Sequence, residues 1–420
     1  MSSSPRPYEV VVFGATGFTG TYASEHVVSH LPTDLRWAVA GRSADKLQQL
    51  VAELESLNPD RLTPAIETAT LDKSSLKELA AKTHVLISAV GPYHRYGEAV
   101  VAACAEAGTH YLDVTGESPW VLDMIKKYDN TAKANNAIMI PQIGVESAPA
   151  DLLSWSMVTH ARRTLSAGVA ELIYSVYDMK AKPSGGTLAT AIGLFEHYPI
   201  KYIGESGKPW ALSAIANPPQ ASAPGAPLVQ KLFGVRTVRD LGTLTTSLQG
   251  GADATIVHRT WSLIDSGKFY GQNFVFKPYV HVRNIFTGVI VHLAIIFGVL
   301  FLLLSPVRWL LKQLVFQPGT GPSREESKND HLEYRALATV DSEGSDPSDP
   351  KRITGRMAWQ GSAYHLTGIF LAEAAVVLAR DEGFLAKEIG GGFLTPATLG
   401  APFLERLQKA GLKVDVRVMP

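Results

Sequence analysis

Cysteine is almost missing from the chain: Cys104 is the only one in 420 residues, which excludes an intramolecular disulfide and any cysteine-rich metal site. It stands in the apolar run Ala99–Ala107, where a buried structural thiol is expected. Neither sign of charge is in excess, with 39 Lys and Arg against 39 Asp and Glu. No strongly basic face can form without a matching acidic one, so no nucleic-acid partner is expected. Charge as a whole is scarce, at 19% beside 46% hydrophobic residues, and that balance points to a membrane-seeking segment. The opening MSSSPRPYEV has no apolar stretch of the secretory kind, and a location facing the cytosol is expected. Neither an HExxH spacing nor a Ser/His/Asp order occurs, and no metal is assigned.

What the chain does have is alternation. Apolar runs at Glu9–Phe13, Leu35–Ala40, Pro64–Leu71, Val85–Ala89, His110–Asp113 and Ile138–Pro141 predict strands, with helical periodicity between most of them. This spacing predicts an α/β fold, an N-terminal Rossmann-type doubly wound parallel sheet over residues 1–160. From about residue 165 the texture changes. Val169–Tyr177, Thr243–Leu248, Thr255–Trp261 and Gln272–Val282 read as strands with few helices between them, predicting a second, α+β and largely antiparallel domain over 161–365 for substrate and dimerisation. Alternating residues at Leu332–Val340 and Ile353–Trp359 predict a hairpin with the acidic tip Asp341–Pro350, and Asn217–Pro227 reads as a surface loop. The segment 366–420 is too short for its own core and is expected to pack its helices back on the first domain.

The first strand runs into GATGFTG. Gly14 permits the tight turn, Gly17 lets backbone N–H groups approach a pyrophosphate, and Gly20 allows close helix–strand packing, so the turn from Thr16 through Phe18 and Thr19 is a dinucleotide cradle. The end of the second strand lacks the acidic residue that would bind a ribose 2′-hydroxyl. It carries Arg42 and Ser43 instead, which suits the 2′-phosphate of NADP. Asp72, after the third strand, reads either as an adenine-side residue or as a helix cap. The fourth strand ends in Ala89, Val90, Gly91 and Pro92, where the nicotinamide half of a dinucleotide crosses the sheet. Tyr93, His94 and Glu146 are the candidate proton donors on the loops at that edge, with packing of the aromatic rings as the structural alternative.

With GATGFTG, AGR, VGPYHRYGE and YLDVTGE in view, the chain resembles the saccharopine dehydrogenase-like oxidoreductases. The likeness continues through PADL at Pro149–Leu152, SGGT at Ser184–Thr187, HRTW at His258–Trp261 and GGFLTPATLG at Gly391–Gly400. One branch is similar to trans-acting enoyl reductases of bacteria, which reduce carbon–carbon double bonds on polyketide-type acyl chains for lipid synthesis; another, in animals, is associated with lipid droplets. The resemblance implies NADPH-dependent reduction of an activated C=C bond on a lipophilic or carrier-bound acyl substrate. Saccharopine-type reduction of a C=N bond and a non-catalytic NADPH-binding role at a membrane are the alternatives. Relatives carry Gly-Phe-Asp-Ser where this chain has Gly144-Val145-Glu146-Ser147, an acid lengthened by one methylene.

Between Asn284 and Val307 no Asp, Glu, Lys or Arg occurs. Phe286–Leu304, if helical, would reach roughly 28 Å, near the thickness of a bilayer core. The segment 285–315 is expected to insert at an interface or as a hairpin on a membrane or lipid-droplet surface, because one span would part the C-terminal piece from the domain it needs.

Overall fold

Short apolar runs supply the first sheet: β1 (Tyr8–Phe13), β2 (Trp37–Gly41), β3 (Ala65–Thr68), β4 (Thr83–Ser88), β5 (His110–Asp113) and β6 (Ile138–Ile140). Val10, Val11 and Val12 are all fully buried, because a sheet covered on both faces gives a strand no polar side. Helices α1 (Phe18–His30), α2 (Ala44–Leu57), α3 (Lys73–Ala81), α4 (Tyr93–Ala107) and α5 (Ser118–Ala134) connect the strands. Every pairing is parallel, in the order β6-β5-β4-β1-β2-β3. The order reverses between β1 and β4, which opens a crevice at their carboxyl ends. This computed structural model describes residues 6–216, 218, 227–314, 321–341 and 350–420.

Helix α6 (Ala148–Leu165) leads into β7 (Gly168–Lys180), the central strand of a second sheet. There follow α7 (Gly185–His197), α8 (Ile200–Ser206), α9 (Leu228–Phe233), β8 (Arg236–Val238), β9 (Gly242–Thr246), α10 (Gly250–Leu263) and β10 (Val275–Val282). After α11 (Ile285–Leu302) and α12 (Ser305–Leu314) come the paired strands β11 (His331–Asp341) and β12 (Arg352–Gln360). The sheet is mixed. β7 and β10 run parallel, which the long helical connection between them permits, and the remaining pairs are antiparallel.

Thr255–Trp261 is a correction: it is no strand but the body of α10. Its β-branched residues favour extension, yet every residue from Asp253 to Ser262 is buried, so the helix shows no polar face to read. The helices α7 and α8 also have no counterpart in the sequence reading. Most of the Asn217–Pro227 loop and of the acidic tip lies outside the described residues.

The last segment serves both sheets. α13 (Ala363–Arg380) lies against α1, an approach that needs Gly368, since a Cβ there would sit 2.7 Å from the Tyr22 backbone. After α14 (Leu385–Ile389), β13 (Gly392–Phe393) adds a parallel strand beside β6. α15 (Gly400–Lys409) then leads to β14 (Lys413–Val418), which pairs with β12. A buried polar knot holds these parts together. The Asp151 carboxylate on α6 accepts hydrogen bonds from the Thr260 hydroxyl and the Ala397 N–H, and Arg259 donates to the carbonyls of Phe393 and Leu212, each at 2.6 Å. The PADL, HRTW and FLTPATLG stretches thus meet as scaffold.

The apolar helix α11 is held against the second sheet by its first two turns. Thr245 donates to the Gly288 carbonyl at 2.8 Å, and Thr246 meets His292 Nδ1 at 2.8 Å. Beyond them Phe297 and Phe301 are 53% and 56% exposed. α12 then returns, and Lys312 pairs with Glu196 of α7 at 2.7 Å. Gly321 packs on the Phe18 ring of α1, so both flanks of the segment belong to one folded body. A span that separated the first sheet from the C-terminal helices does not fit this path.

Candidate active site

The turn after β1 is built as a cradle. Gly14 has φ +82°, and a Cβ there would lie 2.8 Å from the Val90 side chain. A Cβ on Gly20 would lie 2.2 Å from the Gly14 carbonyl oxygen, so this position holds helix against strand and does not touch ligand. Gly17 caps α1 with no side chain, leaving the first-turn N–H groups of Phe18 and Thr19 directed outward. Gly14, Thr16, Gly17, Phe18 and Thr19 all line one large cavity of about 1540 Å³ between the two sheets. Ala89, Val90, Gly91 and Pro92 form its far edge.

Arg42 lines the same cavity beside the adenosine end, and among the described residues its guanidinium meets no carboxylate. Ser43 is a correction, and of the two readings of Asp72 the structure shows the helix cap. The Ser43 hydroxyl caps α2, accepting from Lys46 N–H at 3.5 Å. Asp72 caps α3, accepting from Ser75 N–H at 3.0 Å and from the Ser74 and Thr70 hydroxyls, which hold its carboxyl well below the usual range. Neither side chain lines the cavity, whereas Arg42 does.

Tyr93 touches the cavity, but its phenol is committed to the fold. It donates to the Ser88 carbonyl at 2.9 Å and accepts from Val114 N–H at 3.4 Å, tying the ends of β4 and β5, and burial raises its proton affinity further. Tyr93→Phe is therefore expected to turn over nearly as wild type and to melt earlier, by the loss of ~1 kcal/mol of hydrogen bonding. Turnover measured beside a melting curve checks this. His94 is a correction as well: its ring is buried away from the cavity, with Nδ1 2.8 Å from Glu117 and its other side against Gly193 of α7. The Glu117 carboxylate that holds it caps α4, accepting from the N–H groups of Tyr93 and His94 at 2.9 and 2.8 Å.

Glu146 is the candidate that the structure leaves free. It lies on the loop before α6 and lines the cavity with an exposed side chain, its carboxylate against Gly116 where a Cβ would come within 2.6 Å. Enclosure by protein raises its carboxyl above the ordinary value. Three buried polar groups on the same wall, Gln142 Nε2, Ser147 Oγ and Gln249 Nε2, have no hydrogen-bond partner. Buried polar atoms are nearly always satisfied, so such a cluster in a cavity fits a bound ligand. Sequence reasoning missed Gln249 and the fully buried Asp253 behind it, since no local spacing connects either to Glu146.

A doubly wound sheet whose glycine turn, phosphate-side arginine and cavity-facing acid share one chamber defines a dinucleotide-dependent oxidoreductase. The saccharopine dehydrogenase NADP binding domain matches residues 10–140. A putative trans-acting enoyl reductase of Mycobacterium tuberculosis is 30% identical over 443 residues, covering 99% of both chains. A trans-acting enoyl reductase of Mycobacterium ulcerans is 30% identical over 439 residues with the same coverage. The chain belongs to the saccharopine dehydrogenase-like oxidoreductase family, and its cofactor is NADP. Its fold is that of the saccharopine dehydrogenase (L-Glu forming) of Saccharomyces cerevisiae in the apo form, with a TM-score of 0.52 at 12% identity over 98% of this chain and 100% of that one.

Proposed function

We propose that the chain reduces the C=C bond of an α,β-unsaturated acyl substrate, with Glu146 as the proton donor. The observation that carries this reading is a Glu146 with no ion-pair or hydrogen-bond partner among the described residues, lining the chamber that the nicotinamide edge of the sheet opens into. When bound, NADPH supplies the hydride. Glu146, whose carboxyl is raised above the ordinary value, delivers the proton from its acid form to the carbon where negative charge collects. Gln142, Ser147 and Gln249 offer donors to the acyl oxygen, which also gains charge. The cations of the cavity disfavour a substrate with several carboxylates, as saccharopine-type C=N chemistry requires. Arg95 and Lys312 face Glu196, and Lys182 is paired with Glu326. Among the described residues this leaves Arg42, on the cofactor side. Purified protein with NADPH, offered enoyl thioesters in one panel and keto-acid/amine mixtures in another, should consume cofactor only in the first. Consumption only in the second would overturn the reading.

The substrate in this reading is lipophilic and reaches the cavity from a membrane or lipid-droplet surface. Phe286, Ile290, Phe297 and Phe301 of α11 stand exposed, as do Leu228 and Leu232 of α9, which packs on it. Soluble proteins seldom expose so large an apolar patch. Trp309 and Arg308 on α12 suit the headgroup layer. Leu248, 77% exposed, lines the cavity near this face, as does Lys312. Flotation with phospholipid vesicles should carry the wild type upward and leave a Phe297→Glu/Phe301→Glu variant in the dense fraction. Equal flotation of the two would sink the docking.

A further inference from the structure

Gln142 follows β6 with φ +62°, in the left-handed region that glycine enters freely and a residue with a Cβ enters only at a cost. Five non-glycine residues among those described have a positive φ, and Gln142 is the one of them that lines the cavity. Its side chain adds a second cost: the residue is 2% exposed, and Nε2 has no hydrogen-bond partner. Backbone strain of this kind persists where surrounding bonds over-determine it. Those bonds come from one residue, Asp113 at the end of β5. Its Oδ1 accepts from the Gln142 N–H at 3.0 Å and from the Thr115 N–H at 2.9 Å, and its backbone carbonyl accepts from the Ile143 N–H at 2.9 Å. The Tyr111 hydroxyl donates to the other carboxylate oxygen at 2.8 Å. Asp113 thereby joins the turns after β5 and β6, which pack so closely that a Cβ on Gly144 would lie 3.3 Å from the Val114 side chain.

Glycine would suit this backbone and leave no orphaned amide, so the conformation alone does not account for a glutamine. A ligand for the amide does. We propose that Asp113 is a positioning residue that holds Gln142 in its left-handed turn and so aims the Gln142 amide into the cavity, at the acyl oxygen of the substrate. Asp113 acts through Gln142 and does not itself touch the ligand. The inference rests on the reading of the chain as an enoyl reductase. Negative charge reaches the acyl oxygen as the hydride adds to the far carbon of the double bond, and a donor already fixed in place stabilises that charge without reorganising. The cost of the turn is carried by the free protein and not by the reaction step. The YLDVTGE stretch at Tyr111–Glu117 acquires a task in this way: Tyr111 anchors Asp113, and Asp113 holds both its own turn at Thr115 and the neighbouring one at Gln142.

Substitutions at both positions of the full-length protein test the hold and the aim separately. The hold is read from melting without ligand. Gln142→Gly is expected to melt about 2 °C or more above Gln142→Ala, because alanine keeps the strain and glycine does not. In an Asp113→Ala background that gap should close, since nothing then enforces the left-handed turn. The aim is read from turnover of an enoyl thioester. Gln142→Gly should lower kcat ~10²-fold, the scale of one lost oxyanion donor, with NADPH affinity unchanged. Asp113→Ala should lower kcat comparably, and Asp113→Asn should restore most of it by keeping an oxygen at the Oδ1 position. Once Gln142 is glycine, Asp113→Ala should cost no further turnover. If Asp113→Ala does not fold, Tyr111→Phe replaces it, with a loss of about threefold to tenfold that vanishes in the Gln142→Gly background. A Gln142→Gly enzyme with wild-type kcat, or equal losses from Asp113→Ala in both backgrounds, would overturn the inference. If the melting gap appears and closes as expected while wild type reduces no enoyl thioester, the hold on Gln142 stands and the proposed reaction fails. If wild type reduces the thioester and the gap is indifferent to Asp113, the reaction stands and the positioning role fails.

Discussion

Glu146→Gln is expected to lower turnover by ~10²-fold or more, the scale of a lost general acid, while NADPH binding stays near wild type. Glutamine keeps the length and shape of the side chain, so Gly116 and the cavity wall need not move. What it loses is the transferable proton. Because the acid form is the working one, wild-type kcat should fall as pH rises through the elevated Glu146 value, and the Gln variant should lack that limb. A Glu146→Gln enzyme with wild-type turnover would return the proton to Ser147 or to solvent. Cofactor titration by fluorescence, run on the same samples, separates a chemical defect from a binding one.

Arg42→Ala is expected to weaken NADPH by roughly tenfold to a hundredfold and to leave NADH almost unaffected. Hydrogen bonds to a charged group contribute ~1.5–3 kcal/mol, and ~1.4 kcal/mol is tenfold in affinity. Among the described residues the exposed guanidinium has no carboxylate to satisfy, so its removal should cost little stability. Equal losses for both cofactors in a titration would mean that Arg42 shapes the loop and does not read the 2′-phosphate. The helix caps at Ser43 and Asp72 make this a sharper test than the sequence suggested, because neither side chain can substitute for the arginine.

The first sheet and its cradle were legible because each rests on local rules. A strand, a glycine turn and a helix follow one another within Val10–His30, and the constraint that selects Gly14 and Gly20 acts between residues close in sequence. Arg42 was legible for the same reason, as a position counted from the end of a strand. The second domain was harder. Its helix α10 is buried all round, so the apolar periodicity that reveals a surface helix is lost, and its β-branched residues suggested extension. Tyr93 looked catalytic from its place at the sheet edge. Only the fold shows its hydroxyl donating to Ser88 and its backbone N–H taken by Glu117, 24 residues on. The conspicuous motifs at Pro149–Leu152, His258–Trp261 and Gly391–Gly400 were legible as family resemblance, yet the structure spends them on the knot around Asp151.

Isotope tracing tests the central claim, reduction of a C=C bond in this chamber, most directly. The protein is incubated with an enoyl thioester and NADPH deuterated at the transferring position of the nicotinamide, in light and in heavy water, and the product is weighed by mass spectrometry. The expected product carries one deuterium from the cofactor in light water and gains a second, on the neighbouring carbon, in heavy water; in Glu146→Gln its formation slows ~10²-fold. A thioester recovered unchanged, beside a keto-acid/amine mixture that takes up the cofactor's deuterium, would contradict the account.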